Sequence, residues 1–532
     1  MKLRHDALYA SRRSPVLARN MVSTSQPLAA QAGLRMLLAG GNAADAALAS
    51  AIALTVVEPT GNGLGSDAYA IIWDGKELHG LNASGRAPAD WSPERFAGAD
   101  AMPQRGWEAV TTPGAVSAWQ EISAKFGKLP FEKLFEPAIE YATRGFAVSP
   151  IIATLWEKGG DLLGKQPGFA EAFLPGGKAP KAGELFVNKA AAESLIDIAE
   201  TKGESFYRGK LAGKIAAFAK EHGAALSEED LGNHKADWVG TISQSFGNVK
   251  LHEIPPNGQG ISALIALGIL RHTNITDYEP DSVEALHLEI EAMKLAFADM
   301  RAYVADLDYM TDVTVEHLLS DDYLKSRAAL IDANKAQDFK AGAPKHGGTV
   351  YVSAADENGM MVSFIQSNYM GFGSGVVVPG TSISLQNRGH GFSLKDGHPN
   401  LVKGGKRPFQ TIIPAFLMGL DGNPVMSFGV MGGPMQAQGH LQMTLRTQLW
   451  GQDPQTAADA PRWQALSGLN VAVETSVGAD VIEALKAKGH AIKVETPDST
   501  NFGFGGAQLI AKTDAGYIAG SDPRKDGCAV GY

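Results

Sequence analysis

From Ala43 to Val57 the chain runs through about four helical turns in which only Asp45, Ser50 and Thr55 are polar. The segment is too long for a strand and apolar on nearly every face, so it predicts a helix buried on all sides. Asn42 stands where an N-cap is expected, and Asp45 sits in the first turn, where a negative charge complements the helix dipole. Such a helix needs partners all round it. A chain of 532 residues, 44% hydrophobic and 20% charged, is long enough to supply them as one large compact unit or as two or three domains.

The neighbouring segments indicate what those partners are. Gln26 to Leu38 predicts a helix, with Leu28, Ala32 and Met36 at helical spacing ahead of Gly40-Gly41. Ala68 to Trp73 and Glu77 to Asn82 flank an Asp74-Gly75 turn and predict a hairpin. Helical patterns then dominate: Val116 to Phe126, Phe131 to Tyr141, Ala190 to Lys202, Ile261 to Arg271 and Val283 to Val304. In the last of these, Leu286, Ile290, Met293 and Phe297 form an apolar stripe, with Glu289, Glu291 and Lys294 outside it. Lys335 to Gly348 is small and polar and predicts an exposed loop. A hairpin follows from Thr349 to Ala355 and Met360 to Ser367, turning at Asp356 to Gly359. Strands and tight turns fill 376 to 433, helices are expected at 438 to 450 and 479 to 488, and two strands near 506 to 519 close the chain. Strands and helices mix without strict alternation, which predicts antiparallel sheets with helices packed outside them.

Composition excludes several functions. The net charge of −10 is spread along the chain, so no basic stripe is available to follow a phosphate backbone and nucleic acid is not an expected partner. No segment has the length and apolarity of a signal peptide or a membrane span, and a cytoplasmic location is expected. A single cysteine, Cys528, excludes an internal disulfide. His252, His287, His390 and His440 are scattered without a partner at metal spacing, and neither a metal nor another cofactor is expected.

Three motifs carry chemistry. Gly61 to Asp67 is glycine-rich but leads into a strand, where a dinucleotide fingerprint must open a helix, and neither Ser66 nor Ser374 lies in a G-x-S-x-G elbow. Gly347-Gly348-Thr349 joins a polar loop to a strand. A threonine there is commonly no more than the end of a turn. The same arrangement suits self-cleavage, because glycine permits a strained carbonyl within reach of the hydroxyl, and the freed α-amine, with a pKa near 8, can serve as base. Gly432-Gly433, between a strand and a helix, is either a tight turn or a pair of amide donors for an oxyanion. Arg86, beside Gly85, is a surface arginine or a carboxylate ligand.

Taken together, the motifs resemble the γ-glutamyltransferase family of N-terminal nucleophile hydrolases. The resemblance runs through Ser25 to Gly33, Gly40 to Ala47, Val57-Glu-Pro59, Glu136 to Ile139, Glu291 to Asp299, Gly348-Thr349, Phe372 to Gly375, Lys406-Arg-Pro408, Gly432-Gly433, Ala460-Pro-Arg462 and Ser521 to Arg524. It implies a four-layer αββα sandwich of the α+β class. The precursor would split into a large subunit, 1–348, and a small subunit, 349–532, which together form one domain. Thr349 would be the nucleophile, Ser367 would replace a threonine that bonds its amine, and Gly432 with Gly433 would form the oxyanion hole. Where the family holds the γ-glutamyl group, this sequence departs from it. Tyr369 takes the place of an asparagine, Gly391 that of an amine-binding aspartate, Gln410 and Thr411 that of paired serines, and Ser84 that of a carboxylate-binding arginine. Arg86, two residues on, and Arg388, beside Gln386 and Asn387, are cations available instead.

The expected activity is therefore hydrolysis or transfer of a γ-glutamyl or similar small acidic amide through an acyl-threonine. An amidohydrolase of a short anionic amide such as oxamate is the alternative, and a non-catalytic binding homologue the second. The expected partners are a small-molecule substrate and the chain's own two fragments, with a homo-oligomer left open.

Overall fold

The computed structural model describes residues 13–339, 348–495 and 502–532. Most of the polar stretch expected as a loop before Thr349, residues 340–347, lies outside them.

Two seven-stranded antiparallel sheets form the centre. One runs Cys528–Gly531, Met21–Thr24, Gly348–Ala355, Met361–Tyr369, Asp67–Trp73, Leu78–Asn82, Asp237–Trp238. The other runs Val16–Ala18, Gly516–Ser521, Gly506–Thr513, Pro424–Met431, Ala415–Gly419, Val249–Glu253, Ile242–Phe246. Each is covered on its outer face by helices, which gives the αββα sandwich and three apolar layers. The Ala43–Val57 helix packs on the first sheet through Val350, Val352, Val362 and Phe364. Gly260–Leu270, Val283–Tyr303 and Met435–Gln448 cover the second sheet. Tyr69, Ile71, Tyr351, Ile365, Phe416 and Ile510 fill the space between the sheets. Residues alternate between layers along each strand, and because both faces are covered every position of Met361–Tyr369 is buried.

The helix that led the sequence reading is buried as expected. Every residue of Ala43–Val57 except Thr55 is buried, and the Asn42–Asp45 capping box forms. Asp45 also accepts the amides of Lys128 and Leu129, and Asp356 accepts that of Ala43, so the first turn is tied to two distant segments. Other boundaries shift. The helix expected at 438 to 450 is Met435–Gln448, and 131 to 141 divides into a short 3₁₀ turn, Phe131–Phe135, and the helix Glu136–Arg144. In Val283–Tyr303 the polar positions expected outside the apolar stripe are buried as well. Glu289 accepts from the Trp463 indole at 2.8 Å, and Lys294 pairs with Glu291 at 2.8 Å, because the 463–468 and 332–339 segments cover that face. Among the described residues no helix is long and apolar enough to cross a membrane.

One contact across the sandwich sets the relative position of the two central strands. The Tyr351 ring lies on Gly429 so closely that a Cβ there would come within 2.9 Å of Cζ. Two residues along, Ser353 and Ser427 bond through their hydroxyls. The strands therefore pass each other in step, 353 with 427 and 351 with 429. The next step in the same direction brings Thr349 to Met431 and the Gly432-Gly433 turn. Gly429→Ala should destabilise the protein by about 1–3 kcal/mol through overpacking, seen as a lower urea midpoint.

Candidate active site

Thr349 stands at a break in the strand pairing. Gly348 pairs with Tyr369 and Val350 with Gln366, leaving Thr349 alone opposite Ser367 and Asn368. The extra residue of this bulge belongs to the Met361–Tyr369 strand and interrupts the ladder opposite the threonine. It is 4% exposed. Its hydroxyl donates to Ser367 Oγ at 3.2 Å and accepts from Gln436 Nε2 at 3.4 Å. Ser367 Oγ in turn accepts the Tyr369 amide at 2.7 Å, closing a local turn in which Tyr369 takes a left-handed φ of +78°. The resemblance places Ser367 on the amine of Thr349; the bond that forms is to its hydroxyl.

Gly432 and Gly433 lie where the Pro424–Met431 strand gives way to the Met435–Gln448 helix. Both have positive φ, +120° and +60°, which suits glycine. Their carbonyls accept the amides of Met435 and Gln436, so the pair forms the helix entry. Among the described residues nothing accepts from either glycine's own amide. Unsatisfied amides at the positive end of a helix make an anion site. Gln259 Nε2 holds the Gly433 carbonyl at 2.8 Å and the Thr411 carbonyl at 2.6 Å, which fixes the turn against the segment leading into the Ala415–Gly419 strand. From the other side, Arg462 holds the Phe504 carbonyl at 2.7 Å, and a Cβ on Gly432 would lie 3.0 Å from Gly505 Cα.

Arg388 is the charged member of the group. It is 1% exposed, its Nη1 donates to Thr411 Oγ1 at 2.7 Å, and its guanidinium carbon lies 4.6 Å from the centre of the Tyr369 ring. Nε and Nη2 are buried with no hydrogen-bond partner. Burial holds its pKa down to about 10, with Asp67, Tyr369 and Tyr69 opposing the fall. Asp67 is the counter-charge: burial raises its carboxyl to about 6, against the pull of Arg388 and the amides of Gly85 and Gly114. Those two amides take Oδ1, and Gln410 Nε2 takes Oδ2 at 3.0 Å.

The other expected binding residues divide by what already occupies them. Gln410 is committed to Asp67 and to the Thr411 amide. Gln386 bonds the Thr111 carbonyl and accepts the Arg388 amide, while Asn387 bridges the Gln104 carbonyl and the Met370 amide. Gln386 and Asn387 thus hold the loop that carries Arg388, and Gln410 ties Asp67 to the Thr411 backbone. Tyr369 and Thr411 set the guanidinium's plane and direction. Arg86 lies elsewhere. Its side chain is 44% exposed, between Asp306 at 3.6 Å and Asp237 at 3.7 Å, and none of its bonds reaches Thr349, Gln436 or Arg388.

Asp67, Gln259 and Gln436 were missed in the sequence. Gln436 lies two residues ahead of the helix expected from 438 and in the first turn of the helix that forms, Met435–Gln448. The histidine reading also changes. His287 meets His490, 203 residues away in sequence, at 2.8 Å, with Glu291 close by, so a group able to ligate a metal exists where none was expected from spacing. Its ligand atoms are already in use: His287 bonds the Asp332 carbonyl and His490, and Lys294 bonds both His490 and Glu291.

A sandwich of two facing antiparallel sheets with a strand-end threonine at its centre is the architecture of the N-terminal nucleophile hydrolases, enzymes that process their own precursors. Within that class this chain belongs to the gamma-glutamyltranspeptidase family, which residues 29–532 match. It is similar to the glutathione hydrolase-like YwrD proenzyme of Bacillus subtilis, 36% identical over 532 residues that cover 98% of this chain and 99% of the relative. The oxamate amidohydrolase proenzyme of Klebsiella pneumoniae is also 36% identical, over 533 residues, with 98% and 99% covered. The crystal structure of a cephalosporin acylase from Bacillus halodurans superposes with a TM-score of 0.95 at 46% identity, covering 100% of this chain and 99% of that one. The protein is an enzyme of the gamma-glutamyltransferase type, and the non-catalytic alternative is set aside.

The Asp67 charge acts on the Arg388 guanidinium, so an anion bound there should feel the protonation of Asp67. Protonating Asp67 removes the negative charge that competes for the guanidinium, so calorimetric titration with a small, fully ionised carboxylate should show tighter binding as pH falls through about 6 and a plateau below. Asp67→Asn should flatten that dependence.

Proposed function

We propose that Thr349 is the catalytic nucleophile, exposed by cleavage after Gly348, and that the enzyme hydrolyses amides whose acyl group carries a carboxylate held by Arg388. Ser367 steadies the hydroxyl, the freed α-amine acts as base and then as acid, and the amides of Gly432 and Gly433 bind the tetrahedral oxyanion. The observation that carries the reading is the buried Arg388 guanidinium, with two nitrogens uncommitted, stacked on the residue that pairs with Gly348. A buried cation with open donors is made complete by a planar carboxylate.

The γ-glutamyl reading needs one group more, a carboxylate for the substrate's α-amine. Gly391 occupies the place expected for it, and Asp67 has both oxygens committed to Gly85, Gly114 and Gln410. Acyl groups with a terminal carboxylate and no α-amine therefore fit best, a class that includes oxamate and glutaryl amides. Work in a reducing cytoplasm is part of the same proposal, supported by the single cysteine.

Two measurements test it. Thr349→Ala should give one uncut chain of 56.1 kDa by intact mass, and two fragments from that variant would sink the nucleophile assignment. A glutaryl anilide and a γ-glutamyl anilide differ only in the α-amine. The glutaryl compound should have a kcat/KM at least roughly tenfold higher, equivalent to about 1.4 kcal/mol, and oxamate should also be turned over. Arg388→Met should raise KM for these anionic substrates by roughly 100-fold, the scale of removing one partner of a buried charge pair. A γ-glutamyl preference would overturn the substrate assignment.

A further inference from the structure

Gln436 touches the hydroxyl of Thr349, yet the reaction as described gives it no part. It is wholly buried and lies in the first turn of the Met435–Gln448 helix, with its own amide bonded to the Gly433 carbonyl at 3.1 Å. Its stem therefore rises from the same turn as the oxyanion glycines. The orientation of its side-chain amide follows from chemistry. The Ile413 amide, 3.0 Å away, is a donor and needs Oε1. Nε2 is thereby directed at Thr349 Oγ1, 3.4 Å away, and can only donate to it.

A donor to Oγ1 acts unequally on the two halves of the reaction. When the acyl-enzyme forms, the bond that finally breaks is C–N, and Oγ1 is by then a bonded oxygen with little charge to stabilise. When the ester is hydrolysed, Oγ1 is the leaving group. Water adds to the acyl carbon and gives a proton to the Thr349 α-amine. The C–Oγ1 bond then breaks, its electron pair passes to Oγ1, the ammonium returns the proton to Oγ1, and the acid is released. Charge also builds on Oγ1 as it gives up its proton to attack, but that precedes the slower C–N cleavage of an amide; as a leaving group, keeping the electron pair of the breaking bond, Oγ1 acts only here. The same holds in the precursor, where the ester to be hydrolysed carries the Gly348 carbonyl.

Resting on the assignment of Thr349 as nucleophile, we propose that Gln436 is a catalytic residue specific to ester hydrolysis, donating to Oγ1 as that oxygen leaves, both in turnover and in the second step of self-cleavage.

The test uses full-length Gln436→Met, similar in volume and without the donor. With a chromogenic glutaryl anilide, amine release should show a burst followed by a steady state slowed roughly 100-fold, the effect of losing one donor to a developing oxyanion. In the precursor, hydroxylamine should split the variant into fragments with a hydroxamate on Gly348, since it attacks esters and spares amides. Equal slowing of both phases, with no burst and no hydroxylamine-sensitive ester, would overturn the proposal. Gln436→Glu gives a second reading if the methionine variant does not fold, because its carboxyl donates only when protonated. Its ester hydrolysis should gain on acylation as pH falls, and a ratio independent of pH would count against the role. If Thr349→Ala still cuts, the nucleophile assignment fails and this proposal with it. If Thr349→Ala is arrested while the Gln436 variants show no change in partition, only the Gln436 proposal fails.

Discussion

The contact between the Tyr351 ring and the bare backbone of Gly429 governs the geometry of this enzyme. The strands that must cooperate belong to different sheets, and no backbone ladder joins them. Their relative position depends on side chains in the layer between the sheets. A large ring on one strand opposite a residue with no side chain on the other allows a closer approach than two ordinary side chains would. The Ser353–Ser427 hydroxyl pair keeps the register one step further along. A buried polar pair of this kind tolerates little sliding, because a shifted register would leave both hydroxyls unsatisfied. The end of one strand is thereby held over the end of the other, where a helix begins, and the threonine hydroxyl faces the positive end of that helix.

Buried charge is the second constraint on the site. Taking a guanidinium out of water costs several kcal/mol, and Arg388 recovers part of that from Tyr369, from Thr411 and from Asp67 nearby. The recovery is incomplete, since two of its nitrogens keep unused donors. A planar carboxylate has the geometry to complete such a group. A buried guanidinium of this kind favours an anion over a cation beside it.

Much of this was legible in the order of residues. The apolar run Ala43 to Val57 required burial on every side, and the Thr349–Ser367 hairpin was evident from its alternation and its Asp-Glu-Asn-Gly turn, because both patterns are local. Gly348-Thr349 and Gly432-Gly433 could be singled out since each glycine pair implies a special backbone. The companions of these residues were hidden. Arg86 and Arg388 were equal candidates as cations in the chain, and only their surroundings separate them, one among surface acids and the other stacked and buried. Gln436 sits in a helix whose first turn carries no capping signal of its own. His287 and His490 meet because the segment that follows Ala479–Ala487 folds against the Val283–Tyr303 helix, which carries His287.

By itself, then, the sequence determined the kind of elements, their layering and the chemistry available at Thr349, since these follow from local periodicity, glycine geometry and the identity of one nucleophilic side chain. The tertiary structure alone decided which amide donors face that hydroxyl, which arginine is buried with open nitrogens, and which polar residues are spent on holding loops. The physical reason is that hydrogen-bond commitment and desolvation belong to a residue's surroundings. A glutamine bonded at both ends and a glutamine aimed at a nucleophile are the same letter until the chain is folded.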